Sequence, residues 1–185
     1  MTIDELNRNM REQFPGETLV FGDGPANPRL MLIGEAPGKN EALQGKPFVG
    51  KAGQNLTEFL TLVHLNRQDI YVSNTVKKRP FEIGETGRER NRPPTKGEIA
   101  AFLPFLMQEI RIIRPQILVT LGNVPLKAVC ADDRLTIGQV HGQMLQCPAG
   151  YPLFALYHPA SVIYRRELKS VYENDVKKLA ELLLA

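Results

Sequence analysis

Four short apolar runs, separated by amphipathic stretches, place the strongest constraint on how this chain folds. Each run is nearly continuous in hydrophobicity and is followed by turn or polar residues, which is typical of strands buried on both faces. Such strands belong to parallel sheets that are covered by helices on either side. The predicted strands are Leu30–Ile33, Ile70–Ser73, Gln116–Leu121 and Leu153–Tyr157.

Helical patterns alternate with these strands. Apolar residues recur at helical spacing over Ala52–Val63, Thr95–Ile113 and Leu168–Leu184, and the second of these stretches opens with a capping box of Thr95 and Glu98. Strictly alternating strands and helices predict the α/β class, here a three-layer α/β/α sandwich with a central four-stranded parallel sheet. With 185 residues, the chain is expected to form a single domain over residues 1–185.

The composition is that of an ordinary globular protein. Only two cysteines, Cys130 and Cys147, are present, and they lack CxxC spacing. Two lone cysteines are expected to be reduced thiols, which fits a cytoplasmic protein. No signal peptide is visible, and no run approaches the ~18 apolar residues of a membrane span. We therefore expect a monomer with no membrane association.

Positive charge is concentrated in one segment. The net charge is only +3, but residues 77–96 carry seven basic and three acidic residues. A solvated loop and a phosphate-binding surface are both consistent with this segment. Within it, Gly84–Pro94 is expected to be a mobile loop.

The turn after the first predicted strand points to a ligand site. Its residues are Gly34-Glu35-Ala36-Pro37-Gly38, and the carboxyl edge of a parallel sheet is where α/β folds hold ligands. Backbone amides left bare by the glycines, with a carboxylate and an aromatic ring nearby, predict a pocket for something flat and polar. A flipped-out nucleobase fits that description.

A phosphate-binding P-loop is a weaker interpretation of the next segment. Gly45–Ala52 nearly matches GxxxxGK[ST]. However, Ala52 replaces the hydroxyl residue that would bind magnesium, and no strand leads directly into Gly45. The mismatch argues against a nucleoside triphosphatase.

Three residues elsewhere fit a base-binding pocket, although each also has a structural interpretation. His158 directly follows the fourth predicted strand and is expected at the same sheet edge as Gly34. Asn74 ends the second strand, where it could cap a turn or read an N–H beside a carbonyl on a base. Phe48 lies among glycines and is either a core residue or a stacking platform. His64 and His141 are expected to be structural or surface residues.

Together these motifs resemble the family 4 uracil-DNA glycosylases, in order and over about residues 20–165. The resemblance implies the α/β/α fold and hydrolysis of the N-glycosidic bond of uracil in DNA. The matching segments are Gly34-Glu35-Ala36-Pro37-Gly38, Gln44-Gly45-Lys46-Pro47-Phe48-Val49-Gly50, Asn74 before Lys77-Lys78-Arg79-Pro80, and Tyr157-His158-Pro159-Ala160.

The resemblance also implies a role for each matching residue. Phe48 stacks on the extruded uracil, Asn74 bonds its N3–H and O4, and His158 contacts O2. Glu35 is expected to orient water or shape the pocket, which is lined by Gly34, Ala36 and Gly38. DNA contacts are expected from Lys77, Lys78, Arg79, Ile163, Tyr164 and Arg165.

One departure from the family is large. The resemblance implies an iron–sulfur cluster held by four cysteines, yet Lys78 and Phe102 stand at two of the ligand positions and no cysteine precedes Phe21. Four thiolates cannot be assembled from two cysteines. We therefore predict a protein without the cluster or another metal, in which Phe102 and the N-terminal segment supply the structural support.

Two alternative functions remain open from the sequence. One is a non-catalytic nucleic-acid-binding module on the same fold, since a fold does not determine a function. The other is a glycosylase for deaminated purines such as hypoxanthine or xanthine.

Overall fold

The computed structural model describes all of residues 1–185. Seven strands are formed by Leu30–Gly34 (β1), Ile70–Asn74 (β2), Phe81–Ile83 (β3), Glu89–Asn91 (β4), Ile117–Leu121 (β5), Met144–Gln146 (β6) and Pro152–Leu156 (β7). Eight helices are formed by Ile3–Gln13 (α1), Lys39–Gln44 (α2), Gly50–Val63 (α3), Lys96–Ile113 (α4), Asn123–Cys130 (α5), Ile137–Val140 (α6), Pro159–Tyr164 (α7) and Glu167–Leu184 (α8).

The central sheet has five strands in the order β2-β1-β5-β7-β6. The first four are parallel, which confirms the four predicted strands. The prediction of a purely four-stranded sheet was incomplete, because β6 adds an antiparallel edge strand next to β7. This strand has only three residues, too few to produce a readable apolar pattern.

Two apolar layers lie on opposite faces of the sheet and confirm the three-layer architecture. Alternate residues of each parallel strand point to one face or the other, as Leu32 and Ile33 do in β1. On one face the strands pack against α3 and α8, and on the other against α4 and α5. The predicted helices are present within about two residues of their expected ends, including the Thr95–Glu98 capping box.

A third, smaller apolar cluster joins the N-terminal helix to α4. Leu6 and Met10 of α1 are buried against Phe102 and Phe105 of α4. The ring of Phe14 stacks on Phe102 with centroids 4.3 Å apart. The N-terminal segment is therefore an integral part of the core.

The Gly84–Pro94 segment, which we predicted to be a mobile loop, contains the turn and the second strand of a β-hairpin. In this hairpin β3 and β4 pair antiparallel, with Phe81 opposite Asn91. Cross-strand ion pairs, such as Arg90 with Glu82 at 2.6 Å, accompany the backbone ladder. The glycines and charged residues of this segment are typical of a loop. An exposed two-stranded ribbon buries neither face, so its strands lack the alternation of apolar and polar residues that identifies a strand in a sequence.

No helix has the length and apolar character needed to cross a membrane.

Candidate active site

The carboxyl ends of the parallel strands meet at one edge of the sheet and carry the predicted site residues. Gly34 ends β1 and pairs in register with Asn74, which ends β2. His158 follows β7 by two residues, and Gly122 directly follows β5. Two hydrogen bonds join the first two strand ends, since the Thr75 amide and the Thr75 hydroxyl both donate to Gly34 O at 2.9 Å.

Phe48, Asn74 and His158, which are far apart in sequence, line one cavity of about 300 Å³ at this edge. The sequence predicted that these three side chains would converge, and they do. The remaining lining residues come from the β1 turn and the two helices after it. They are Gly34, Glu35, Ala36, Glu41 and Ala52. We call this cavity the base slot.

Phe48 adopts a backbone conformation that is unusual for a bulky residue. Its φ is +54°, in the left-handed region, and the left-handed Gly45 and Gly50 lie on either side of it. Such conformations cost of order 1–3 kcal/mol and cluster at functional sites, where the surroundings hold them in place. The ring forms one wall of the base slot and, below it, one wall of an apolar cavity of about 350 Å³.

His158 is held as a neutral donor. It is the N-cap residue of α7, and its Nδ1 accepts a hydrogen bond from the Ala160 amide at 3.1 Å. Nδ1 is therefore unprotonated, and the proton of the neutral ring is on Nε2. Burial lowers the pKa of His158 below its ordinary value, which reinforces the neutral form.

Two glutamates contribute carboxyl groups to the base slot. Burial raises the pKa of Glu35. Glu41 is buried on α2, and its Oε2 accepts a hydrogen bond from the Gly38 amide at 3.2 Å. Our sequence reasoning missed Glu41, although its spacing from Gly38, a capping-box pattern at a helix start, was a usable signal. Gly38 itself lies outside the slot, at the N-cap of α2.

A wider groove of about 1330 Å³ leads to the slot. The turn residues and His158 form its floor, the base of the β3–β4 hairpin forms one side, and α7 forms the other. Ile163 and Tyr164, at the end of α7, are 46% and 87% exposed. Arg165 follows directly as the C-cap of this helix. These three predicted DNA-binding residues therefore lie on the protein surface, and Tyr164 also lines the groove.

The predicted phosphate contacts at residues 77–79 differ from one another. Lys77 is fully buried, with its Nζ 2.6 Å from Glu109 Oε2, so its assignment as a phosphate contact was wrong. The reason is that the segment after β2 directs the Lys77 side chain into the protein, towards Glu109 of α4 and the backbone of Asn74. Lys78 pairs with Glu17 and is one-quarter exposed, while Arg79 pairs with Glu89 in the hairpin and is one-tenth exposed. Contacts from Lys78 and Arg79 stay predictions.

The other two histidines are outside the base slot, as expected. His64 is the left-handed C-cap of α3. His141 Nδ1 lies 2.7 Å from Asp175 Oδ2, and its ring packs against Tyr157. This contact ties the loop after α6 to α8.

Comparison with known proteins identifies the family. The family model for the uracil DNA glycosylase superfamily matches residues 21–181. This chain belongs to that superfamily. It is 37% identical to a type-4 uracil-DNA glycosylase of Archaeoglobus fulgidus over 169 residues, covering 88% of this chain and 81% of the relative. It is also 37% identical to one of Saccharolobus solfataricus over 171 residues, 89% of this chain and 76% of the relative.

The residues present do not fit the iron–sulfur cluster that the family resemblance implies. Cys130 ends α5, whereas Cys147 is buried in the core beside β7, and both are free thiols. No group of three or more histidine, cysteine or acidic side chains could hold a metal ion. At the two expected ligand positions, Lys78 forms an ion pair and Phe102 fills an apolar core.

Proposed function

We propose that this protein removes uracil from DNA by hydrolysing the N-glycosidic bond of a flipped-out nucleotide. The observation that carries the proposal is the convergence of Phe48, Asn74 and His158 on one base slot in a member of the uracil DNA glycosylase superfamily. A protein that bound only the DNA backbone would not need an aromatic face, a carboxamide and a neutral imidazole around one cavity.

The three side chains divide the recognition of the base among them. Phe48 stacks on the face of the uracil ring. The Asn74 carboxamide accepts from N3–H and donates to O4, a pairing that cytosine cannot reciprocate. His158 donates its Nε2–H to O2. A uracil in a mismatch is less costly to extrude than a paired base, which adds selectivity.

Bond cleavage is driven by stabilisation of the departing base. The C1′–N1 bond breaks with its electron pair passing to uracil, so that negative charge develops on O2 and O4. The donors on His158 and Asn74 are aimed where this charge appears, and they act in a buried site. Removing one such donor typically reduces rates by roughly 10²–10³-fold.

Glu35 is the residue that we assign to positioning the water nucleophile. The sugar left by cleavage is cationic at C1′, and a water molecule adds its oxygen there and loses a proton, which balances the negative charge of the departing uracil. Glu35 and Glu41 are the acidic residues that line the slot, and Ala36 has no carboxylate to offer. Glu35 lies on the turn that also lines the groove, and its carboxylate orients this water.

DNA lies along the groove that leads to the slot. Ile163 and Tyr164 wedge into the space that the extruded nucleotide leaves, while Arg165, Lys78 and Arg79 contact phosphates. Both side chains are exposed side by side at the end of α7, and Tyr164 lines the groove, which places them where they can enter the DNA.

The protein works without an iron–sulfur cluster. Stacking of Phe14 on Phe102 and packing of α1 on α4 join the segments that a cluster would otherwise tie together. Iron and sulfide analysis of protein purified without oxygen checks this: neither element is expected, and stoichiometric iron would contradict it.

We also propose that the protein is a cytoplasmic monomer. The free thiols are in keeping with the cytoplasm, and light scattering after gel filtration tests whether the protein is a monomer.

Incubation with oligonucleotides that each carry one lesion tests the function. After alkali cleavage of abasic sites, we expect strand breaks with uracil, none with thymine, and far fewer with hypoxanthine or xanthine. Preferential breakage at hypoxanthine or xanthine would identify a purine glycosylase. DNA binding without any breakage would identify a non-catalytic module, and both results would overturn the proposal.

A further inference from the structure

Lys77 and Glu109 form a buried ion pair directly below the site strand β2. Their side chains are 0% and 2% exposed, and Lys77 Nζ lies 2.6 Å from Glu109 Oε2. Neither residue lines the base slot. A buried ion pair is often no more stabilising than well-packed apolar residues of the same volume. Stabilisation of the fold therefore does not by itself explain why this ion pair is buried here.

The ammonium of Lys77 has no donor left for a ligand. It donates to Glu109 Oε2, to Ser73 Oγ and, at 2.7 Å, to the backbone carbonyl oxygen of Asn74. These three bonds use all of its N–H groups. The bond to Asn74 reaches a residue that we assign to uracil recognition.

Glu109 anchors this network to the helical layer. Its Oε1 accepts from the Tyr71 hydroxyl and its Oε2 from the Ser73 hydroxyl, both at 2.9 Å. Glu109 belongs to α4, whereas Tyr71 and Ser73 belong to β2. The Glu109 carboxylate thus connects two alternate residues of β2 to α4. Through Lys77 it also connects Asn74, at the end of the strand, to the same helix.

The strand end at Asn74 is held from several directions. β2 pairs with β1 on one side, and on its outer side the bridges of Asp23 with Val72 and of Leu19 with Lys78 lie before and after Asn74. On the β1 side, Thr75 and Val76 donate to the carbonyl oxygens of Gly34 and Glu35. Lys77 folds back on the Asn74 carbonyl and holds the strand end through a separate set of bonds.

We propose that Lys77, held by Glu109, is a positioning residue that fixes the Asn74 carboxamide for reading the uracil edge. The inference rests on the proposed function and deepens it. Recognition by a carboxamide needs its atoms placed within about 0.5 Å. A displacement of about 1 Å can reduce a rate roughly 10²-fold.

A charge-neutral double substitution tests the proposal without leaving one charge buried alone. In Lys77→Met/Glu109→Gln, the new amide at position 109 can still form hydrogen bonds with the Tyr71 and Ser73 hydroxyls. The hydrogen bond from position 77 to the Asn74 carbonyl oxygen is lost. Single-turnover excision of uracil from single-stranded DNA is expected to fall roughly 10–100-fold, with the Kd for DNA unchanged. Lys169→Met/Glu173→Gln, which removes an exposed ion pair on α8 outside this network, is the matched charge-neutral control and retains the wild-type rate.

Combination with Asn74→Ala separates positioning from a general structural role. If Lys77 acts through Asn74, the triple variant is no slower than Asn74→Ala alone, because the misplaced group is already absent. The inference would be overturned if the triple variant were slower than Asn74→Ala by the same factor that separates the double variant from the wild type. It would also be overturned if the double variant kept the wild-type rate. All rates are measured below the melting temperature of each variant.

A milder variant covers the case in which the double substitution does not fold. Lys77→Gln/Glu109→Gln keeps the pair neutral and leaves a polar group at both positions, but the shorter side chain at position 77 no longer holds the Asn74 carbonyl oxygen. This variant is expected to lower the excision rate severalfold without changing the Kd for DNA, and an unchanged rate would count against the inference. The wild-type protein is assayed alongside: its failure to excise uracil would contradict the proposed function instead.

Discussion

The carboxamide oxygen of Asn74 occupies the space that a side chain on Gly34 would need. A Cβ added to Gly34 would lie 2.5 Å from Asn74 Oδ1 and 3.2 Å from Phe48 Cζ. The two residues are register partners at the ends of β1 and β2. Gly34 is therefore required because two walls of the base slot approach its backbone closely.

Gly34→Ala should disable the base slot. The added methyl must displace the Asn74 carboxamide or the Phe48 ring, and we expect single-turnover excision of uracil to fall roughly 10²-fold. Gly97→Ala is the control, since its Cβ would meet only Thr95 Oγ1 at 3.8 Å in the first turn of α4. That variant should keep its activity. Full activity of Gly34→Ala would show that the slot can relax.

The excision rate should depend on pH through His158. Because burial lowers its pKa from 6.5, His158 remains a neutral donor across the neutral range and the rate should be flat there. In acid the rate should fall as His158 and Glu35 take up protons. Rate profiles of the wild type and of His158→Gln check this: the variant should be slower throughout and should retain only the part of the acid decrease that comes from Glu35.

His158 should also make the folded state less stable in acid. The unfolded chain takes up this proton near pH 6.5, whereas the native chain resists it to lower pH. The stability that His158 contributes is therefore complete above that value and is lost as the pH falls below it. Glu35, whose pKa is raised, acts in the opposite sense. Thermal melts should show a weaker acid destabilisation in His158→Gln; an identical pH dependence would contradict the burial effect.

Phe48→Ala should weaken recognition of the base. Stacking of a base on an aromatic side chain contributes about 1–3 kcal/mol, so we expect kcat/KM for uracil excision to fall roughly 5–150-fold. Leu43→Ala, an exposed position on the adjacent helix α2, is the control. Steady-state kinetics on single-stranded DNA provide the measurement, and an unchanged kcat/KM would place Phe48 outside the recognition of uracil.

Tyr164→Ala should affect duplex DNA more than single-stranded DNA. If Tyr164 fills the gap left by the extruded nucleotide, its loss raises the energy of extrusion, and a single strand has no partner base to separate. Excision of uracil from both substrates, compared in parallel, gives the ratio. Leu184→Ala, at a similarly exposed position at the end of α8, should leave the ratio unchanged. Equal slowing on both substrates would exclude a wedge.

Phe102→Ala should destabilise the protein strongly. Phe102 is 1% exposed and stacks on Phe14, and removal of such a side chain typically costs about 3–5 kcal/mol. Denaturant unfolding of this variant measures the loss. Phe81→Ala, at an exposed position of the hairpin, should change stability by less than about 0.5 kcal/mol. A small effect at Phe102 would show that α1 and α4 are joined by other contacts.

Local patterns in the sequence were sufficient for the parallel strands and for the site residues Asn74 and His158, although they left Glu41 unrecognised. Continuous apolar runs mark buried strands, and polar residues directly after them must lie at one edge of a parallel sheet. For this reason the convergence of Asn74 and His158 could be predicted. The β3–β4 hairpin and β6 could not, because each has three residues per strand and little burial.

The buried network around Lys77 was decided only by the tertiary structure. A lysine among other basic residues is indistinguishable in sequence from a surface lysine that contacts phosphate. Its position depends on Glu109, 32 residues further along the chain, and on the path of the backbone after β2. The amino-acid sequence thus determined which groups reach the sheet edge, through periodicity and strand order. Long-range packing determined which charges remain accessible, because burial depends on neighbours that are distant along the chain.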